Sequence, residues 1–219
     1  MNDKETLLLA IVGIVMLSAC GNQQPNKVPP LSDIDNQPLS SNEYIIQQSN
    51  LVLFNAVSRN NIRMAKHALA AGADINSKNI KGHTPLMLAA ALGSIDMAKF
   101  LAVKEAEPDS HHKGWTSLHR AAFYGNIEIV DFLLGMGLDV DVKDNLGQTP
   151  IHWPSNYGRL KMVGHLVAKG ADVNAVAVDG YFLGQTPVDA AANGNQDEVE
   201  SLLRRHGGKS SEELNAIMK

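Results

Sequence analysis

Apolar residues recur along this chain as pairs of short stripes divided by glycine. Between Gly114 and Gly137, Leu118, Ala121 and Ala122 make one stripe and Ile127, Val130, Leu133 and Leu134 a second, each at the three-to-four spacing of a single helix face. Thr116 stands where an N-cap is needed, Gly125 and Asn126 where the chain must reverse, and Gly137 where the second helix must stop. The pattern predicts two short antiparallel helices. So small a hairpin cannot bury both stripes alone and requires neighbours of its own kind.

The neighbours are present in the sequence. The arrangement returns at Gly82, Gly114, Gly147 and Gly184, spaced by 32, 33 and 37 residues. After each of these glycines comes a related heptapeptide: Thr84-Pro85-Leu86-Met87-Leu88-Ala89-Ala90, Thr116-Ser117-Leu118-His119-Arg120-Ala121-Ala122, Thr149-Pro150-Ile151-His152-Trp153-Pro154-Ser155 and Thr186-Pro187-Val188-Asp189-Ala190-Ala191-Ala192. An earlier unit beginning near Leu51 keeps Leu53, Ala56 and the ending Ala71 to Asn76. Over about Asn50 to Gly208 the chain resembles the ankyrin repeat. The resemblance implies an all-α solenoid of helix-turn-helix units joined by β-hairpin-like loops. Its units fall at about 50–81, 82–113, 114–146, 147–183 and 184–208, in a domain of residues 42–208 with a polar tail at 209–219.

The physics agrees with the pattern position by position. Thr caps the first amides, Pro fits the first helical position, and alanines let adjacent helices approach closely. Between the helices stand Asn60, Gly93, Gly125, Gly158 and Asn195, all tolerant of a left-handed backbone. After the second helices stand Gly72, Glu105, Gly137, Gly170 and Gly207, of which Glu105 alone departs; it keeps the left-handed geometry under strain or the end of repeat two is reshaped. Pro154 replaces an alanine inside a helix of about two turns, so that helix is expected to bend or tighten to 3₁₀. The loop from Ala175 to Gly184 is longer than its siblings and carries Tyr181, Phe182 and Leu183. These three either fold back on the last repeat or meet a partner. The tail, with Leu214, Ile217 and Met218 at helical spacing, either frays or caps the end.

Residues 1–19 read differently. Leu7 to Leu17 is an apolar run too short to span a membrane and of the size of an export signal. The sequence Leu17-Ser18-Ala19-Cys20-Gly21 resembles the lipobox of bacterial lipoproteins, although Lys4 is offset by Asp3 and Glu5. The resemblance implies lipidation of Cys20 and attachment on the periplasmic side of the cell envelope, at the outer membrane where there are two. The alternative is an uncleaved apolar anchor with a free cysteine. Residues 20–41, rich in Asn, Gln, Pro and Ser, read as a tether, and a flexible coil of that length reaches roughly 25 Å.

Charge and composition narrow the function. A net charge of -4 without a basic tract argues against nucleic acid as a partner, and a single cysteine excludes an internal disulfide. His119 and His152 occupy the family position where the imidazole ties the capping Thr to neighbouring turns. His111 and His112, with His119, make the one imaginable metal cluster, but they lack fixed ligand spacing and a completing carboxylate or cysteine. Asp139, Asp141 and Asp144 suggest a calcium loop until Lys143 and Pro150 are found at ligand positions. No nucleophile elbow or phosphate loop is present. We therefore expect neither an enzyme nor a cofactor.

The informative cluster is aromatic. In the family, the residue before the capping Thr, the residue before the Ala pair and the two after it face the concave surface. Here these are Trp115, Arg120, Phe123, Tyr124, Trp153 and Tyr157, which take both Trp, two of the 4 Tyr and one of the 5 Phe. Trp, Tyr and Arg dominate interface hot spots. These six, with Tyr181 and Phe182 on the loop, are the expected partner-binding residues, while Phe123 and Trp153 are also the best candidates to fill space around Pro154. The expected protein is a monomeric, lipid-anchored protein binder, serving as an immunity protein against a toxic effector or as an envelope scaffold for a neighbouring enzyme.

Overall fold

The computed structural model describes residues 41–108 and 114–217. The signal and tether residues up to position 40, Cys20 included, lie outside that range, as do His111, His112 and Met218. The described residues from Ile46 onward belong to one compact unit, which holds the repeats.

Helices come in successive pairs: α1 (Ser41–Ser58) and α2 (Ile62–Ala70), α3 (Pro85–Leu92) and α4 (Ile95–Val103), α5 (Ser117–Tyr124) and α6 (Ile127–Gly135), α7 (His152–Asn156) and α8 (Leu160–Ala168), α9 (Pro187–Asn193) and α10 (Asp197–Arg205). A last helix, α11, spans Ser211–Ile217. First helices pack on first helices, α3 on α5, α5 on α7 and α7 on α9, while α4 meets α6 and α8 meets α10. This is an all-α solenoid.

The core follows the predicted stripes with one shift. Leu118, Ala121 and Ala122 are fully buried, as are Val130 and Leu133, but the third deep position of α6 is Ile129, and Ile127 and Leu134 are half-buried. All ten predicted left-handed positions are left-handed, Glu105 among them at φ 65°. The end of repeat two is therefore strained and not reshaped.

Caps and turns carry the repeat. Thr84, Thr116 and Thr186 each accept the amide three residues on. The third residue returns a side chain to the Thr amide: Met87 Sδ, His119 Nδ1 and Asp189 Oδ2. Loops are stitched across repeats by side chains about one period apart. Asn76 accepts from the Glu107 amide at 2.9 Å, Asp141 from Asp172 at 3.0 Å and Asn174 from Lys209 at 2.8 Å. The aspartates of the apparent calcium loop are similarly engaged by backbone, Asp139 with Asp141 N and Asp144 with Leu146 N and Gln148 N.

Repeat four departs from this scheme. Its first helix has five residues, against eight in α3 and α5, and Thr149 does not cap it. Pro150 and Ile151 form a turn instead, closed by a bond from His152 N to Thr149 O. Starting at His152, the helix carries Pro154 in its first turn, where an N–H has no partner within the helix in any case. The proline is accommodated by a later start. The long loop turns through a 3₁₀ segment, Gly180–Phe182, and Val178 N and Asp179 N both donate to Leu146 O of the preceding loop.

The tail caps the end. α11 buries no side chain but is fixed by polar contacts: Arg204 to Glu213 at 2.9 Å, Ser211 N to Asp189 at 2.8 Å and Thr186 Oγ1 to Lys209 O at 2.8 Å.

Candidate functional site: an aromatic array across repeats three and four

Seven aromatic rings and one guanidinium meet where α5, α7 and the long loop converge. Trp115 lies just before the cap of α5, and its ring centroid is 5.5 Å from Phe123 and 5.9 Å from Trp153. Phe123 continues the contact to Tyr124 at 4.9 Å and to Tyr157 at 5.5 Å. Trp153 stacks nearly parallel on Tyr181, 5.5 Å away at 17°, and meets Phe182 edge-on at 4.8 Å. Offset and edge-on arrangements at these distances are the favourable ones for ring quadrupoles. Every residue expected from the sequence to contact a partner enters this one array.

The array has a floor and an exposed rim. Phe182 has no exposed surface and packs with Ala177, Ala190 and Trp153, so it belongs to the core and cannot reach a partner. That corrects its place among the binding residues: the 3₁₀ turn at Gly180–Phe182 directs it inward while leaving Tyr181 outside. Trp115, Phe123 and Trp153 are half-buried. Tyr124, Tyr157 and Tyr181 are 46, 56 and 64% exposed and form the rim, next to an exposed Leu183.

Arg120 completes it. Its guanidinium lies 4.8 Å from the centre of the Trp115 ring, and one terminal nitrogen donates to His83 Nε2 at 2.6 Å. Burial lowers the Arg120 pKa from the ordinary guanidinium range. The bond to His83 joins repeat three to repeat two. Sequence position places both residues on one face without pairing them.

His119 supports the array from beneath. It is buried, accepts the Thr116 amide on Nδ1, and its Nε2 lies 3.1 Å from the Gln148 carbonyl of the next repeat. Nδ1 being an acceptor, Nε2 carries the proton. Burial pushes its pKa down from 6.5 to about 4, and burial lowers that of His152 also. Both rings are structural. Trp115 stacks over His119 at 6.1 Å, so the family histidine also sets one ring of the array.

Among the described residues no group of three His, Cys, Asp or Glu is placed to hold a metal, and no helix is long and apolar enough to cross a membrane. His119 is committed to two backbone contacts.

Comparison with known proteins agrees with the fold. A family model described as "Ankyrin repeats (3 copies)" matches residues 53–144, and one described as "Ankyrin repeat" matches residues 146–177. Together they cover more than half of the chain, and it belongs to the ankyrin repeat family. Among curated relatives, it is 38% identical over 99 residues to the rat Ankyrin repeat and SAM domain-containing protein 6, covering 43% of this chain and 11% of that protein. It is 32% identical over 150 residues to Alpha-latrocrustotoxin-Lt1a of Latrodectus tredecimguttatus, covering 65% of this chain and 10% of the toxin. To human NF-kappa-B inhibitor alpha it is 33% identical over 106 residues, covering 45% of this chain and 33% of the inhibitor. The chain thus matches about a tenth of the first relatives. What is shared is the repeat, a protein-interaction module.

Proposed function

We propose that the protein is a non-enzymatic binder, anchored by lipid at Cys20 in a bacterial envelope, that captures a protein partner on the concave face of its middle repeats. The observation that carries the binding reading is the rim of Tyr124, Tyr157 and Tyr181, three large rings left in water beside half-buried Trp115 and Trp153. Half-buried aromatic anchors ringed by exposed ones have the composition and layout of interface hot spots. The anchoring reading is supported by Leu17-Ser18-Ala19-Cys20-Gly21 and by the polar, proline-containing stretch after it. Two or three acyl chains, at about 0.8 kcal/mol per buried methylene, would hold the protein effectively permanently.

A crosslinked pull-down from membranes tests the first reading. The parent should recover a partner that Trp115→Ala and Tyr124→Ala, both still folded by circular dichroism, lose. Retention of every partner by both variants overturns it. For the anchor, labelled palmitate should enter the parent and not Cys20→Ala, and the variant should leave the membrane fraction. Unchanged fractionation defeats it.

A further inference from the structure

The proposed binding face includes the Arg120 guanidinium, and its setting specifies what a partner must bring. Arg120 is half-buried between Trp115 and His83, and its Nε is buried with no acceptor among the described residues. None of the ion pairs of the described residues includes it, and no carboxylate among them contributes to its electrostatic surroundings. Buried charges in folded proteins are ordinarily paired, because a desolvated ion without a counter-charge is unfavourable. Positions facing the same way in the flanking repeats, His83, Leu88 and Leu92 before it and Gln148, Trp153 and Tyr157 after it, supply no acid. Among the described residues the fold therefore holds a partly desolvated cation and supplies it no counter-charge.

We propose that the missing counter-charge is a carboxylate of the partner, and that the segment recognised is an Asp or Glu flanked by apolar side chains. The proposal rests on the aromatic array being the binding face. Three features fit a carboxylate. The Trp115 ring lies 4.8 Å from the guanidinium and the bond to His83 holds one of its terminal nitrogens, so less freedom remains to be lost when two parallel N–H···O bonds form. Much of the desolvation has already occurred on folding, which strengthens a charge-assisted bond made there. The exposed Tyr124 and Tyr157 rings, joined to Trp115 through Phe123, offer apolar surface to the flanking residues.

Both tryptophans of the chain lie in the array, so intrinsic fluorescence reports on this site. The probe is a phage-displayed library of random 12-residue peptides, panned on the full chain kept in detergent. The enriched peptides should carry Asp or Glu beside Leu, Phe or Ile. Synthetic copies should change the tryptophan emission, and their Asn or Gln counterparts should bind about tenfold more weakly. That difference should vanish in Arg120→Met. Should this variant misfold, the parent alone still decides: raising sodium chloride from about 50 to 300 mM must weaken the acidic peptide and not its amide counterpart. Enrichment of peptides without acid, equal binding of the amide counterparts, no enrichment at all, or tighter binding of a single-stranded oligonucleotide would each overturn the proposal. Tyr124→Ala separates the two readings. If it abolishes binding of acidic and amide peptides alike when these bind equally, the face stands and the carboxylate falls; if it changes nothing, the face itself is wrong.

Discussion

Repeats two and four each break the pattern of their siblings at one residue, and the chain absorbs the two breaks differently. Glu105 keeps the left-handed backbone that glycine holds elsewhere, with φ 65°. The bond that closes the repeat is preserved: Ala106 N to Leu101 O at 3.0 Å matches Ala73 to Ala68 at 3.0 Å and Ala171 to Leu166 at 3.0 Å. The conflict remains local, as strain of about 1 to 2 kcal/mol. Pro154 cannot be treated that way, because a missing N–H and a ring against the preceding turn leave no interior helix geometry open. The helix instead starts two residues later than the siblings predict, and the next loop supplies Phe182, 5.7 Å from His152 and 4.8 Å from Trp153. A position that costs only torsion can be kept by itself. One that removes a hydrogen bond recruits its neighbours.

If Phe182 supports the shortened helix, its removal should cost more stability than any other substitution in either repeat's repair. Phe182→Ala is expected to lose about 3 to 5 kcal/mol, the range for deleting a fully buried aromatic ring. Urea unfolding followed by tryptophan emission measures it. A loss below about 1 kcal/mol would mean that α7 stands without the loop, and the link between Pro154 and the insertion would be broken.

The solenoid was legible in the sequence because it repeats: Thr caps, alanine stripes and turn glycines each occur several times, and all ten left-handed positions fall where expected. Most of the site was legible for the same reason, since Trp115, Arg120, Phe123, Tyr124, Trp153 and Tyr157 sit at positions the repeat assigns to one face. What had no sibling was not legible. Tyr181 and Phe182 are adjacent and both aromatic, and only the 3₁₀ turn decides that one is 64% exposed and the other fully buried. The Arg120 to His83 bond was hidden too, because it joins repeats through long side chains whose rotamers no periodicity fixes.

Acid should test the joint between regular and remodelled halves. His119 of repeat three reaches the Gln148 carbonyl of repeat four as a neutral ring. Burial holds its folded pKa near 4 against 6.5 for the ordinary residue. Below 6.5 the unfolded chain takes up a proton that the folded one refuses, so stability is intact above that pH and falls as pH drops toward 4, by up to about 3 kcal/mol. His152, also lowered by burial, adds in the same direction. Urea midpoints between pH 7.5 and 4 should decline in this window, less steeply for His119→Gln than for the parent. Equal slopes would place the sensitivity elsewhere.

The local strain of repeat two should be relieved by a single change. Glu105→Gly keeps the backbone and removes the Cβ conflict, while giving the unfolded chain more freedom, so a net gain of about 0.5 to 1 kcal/mol is expected. A loss would mean that the left-handed residue is supported by contacts of the glutamate itself.

Tyr181→Ala should do least to stability, and its comparison with Phe182→Ala is the finest cut between core and surface in the remodelled repeat. The two rings touch at 4.9 Å and belong to one turn, yet Tyr181 is 64% exposed and its main partner is the Trp153 face at 5.5 Å. Water replaces most of what its loss removes, so the expected change is within about 0.5 kcal/mol. The variant should nonetheless shift Trp153 emission, because a stacked neighbour is exchanged for solvent. A stability loss above about 1 kcal/mol would show that the exposed ring helps hold the remodelled repeat, and that Tyr181, like Phe182, belongs to the repair around Pro154. With stability unchanged and partner recovery reduced in the membrane pull-down, the turn divides its labour between two adjacent residues, one closing the core and the other facing the partner.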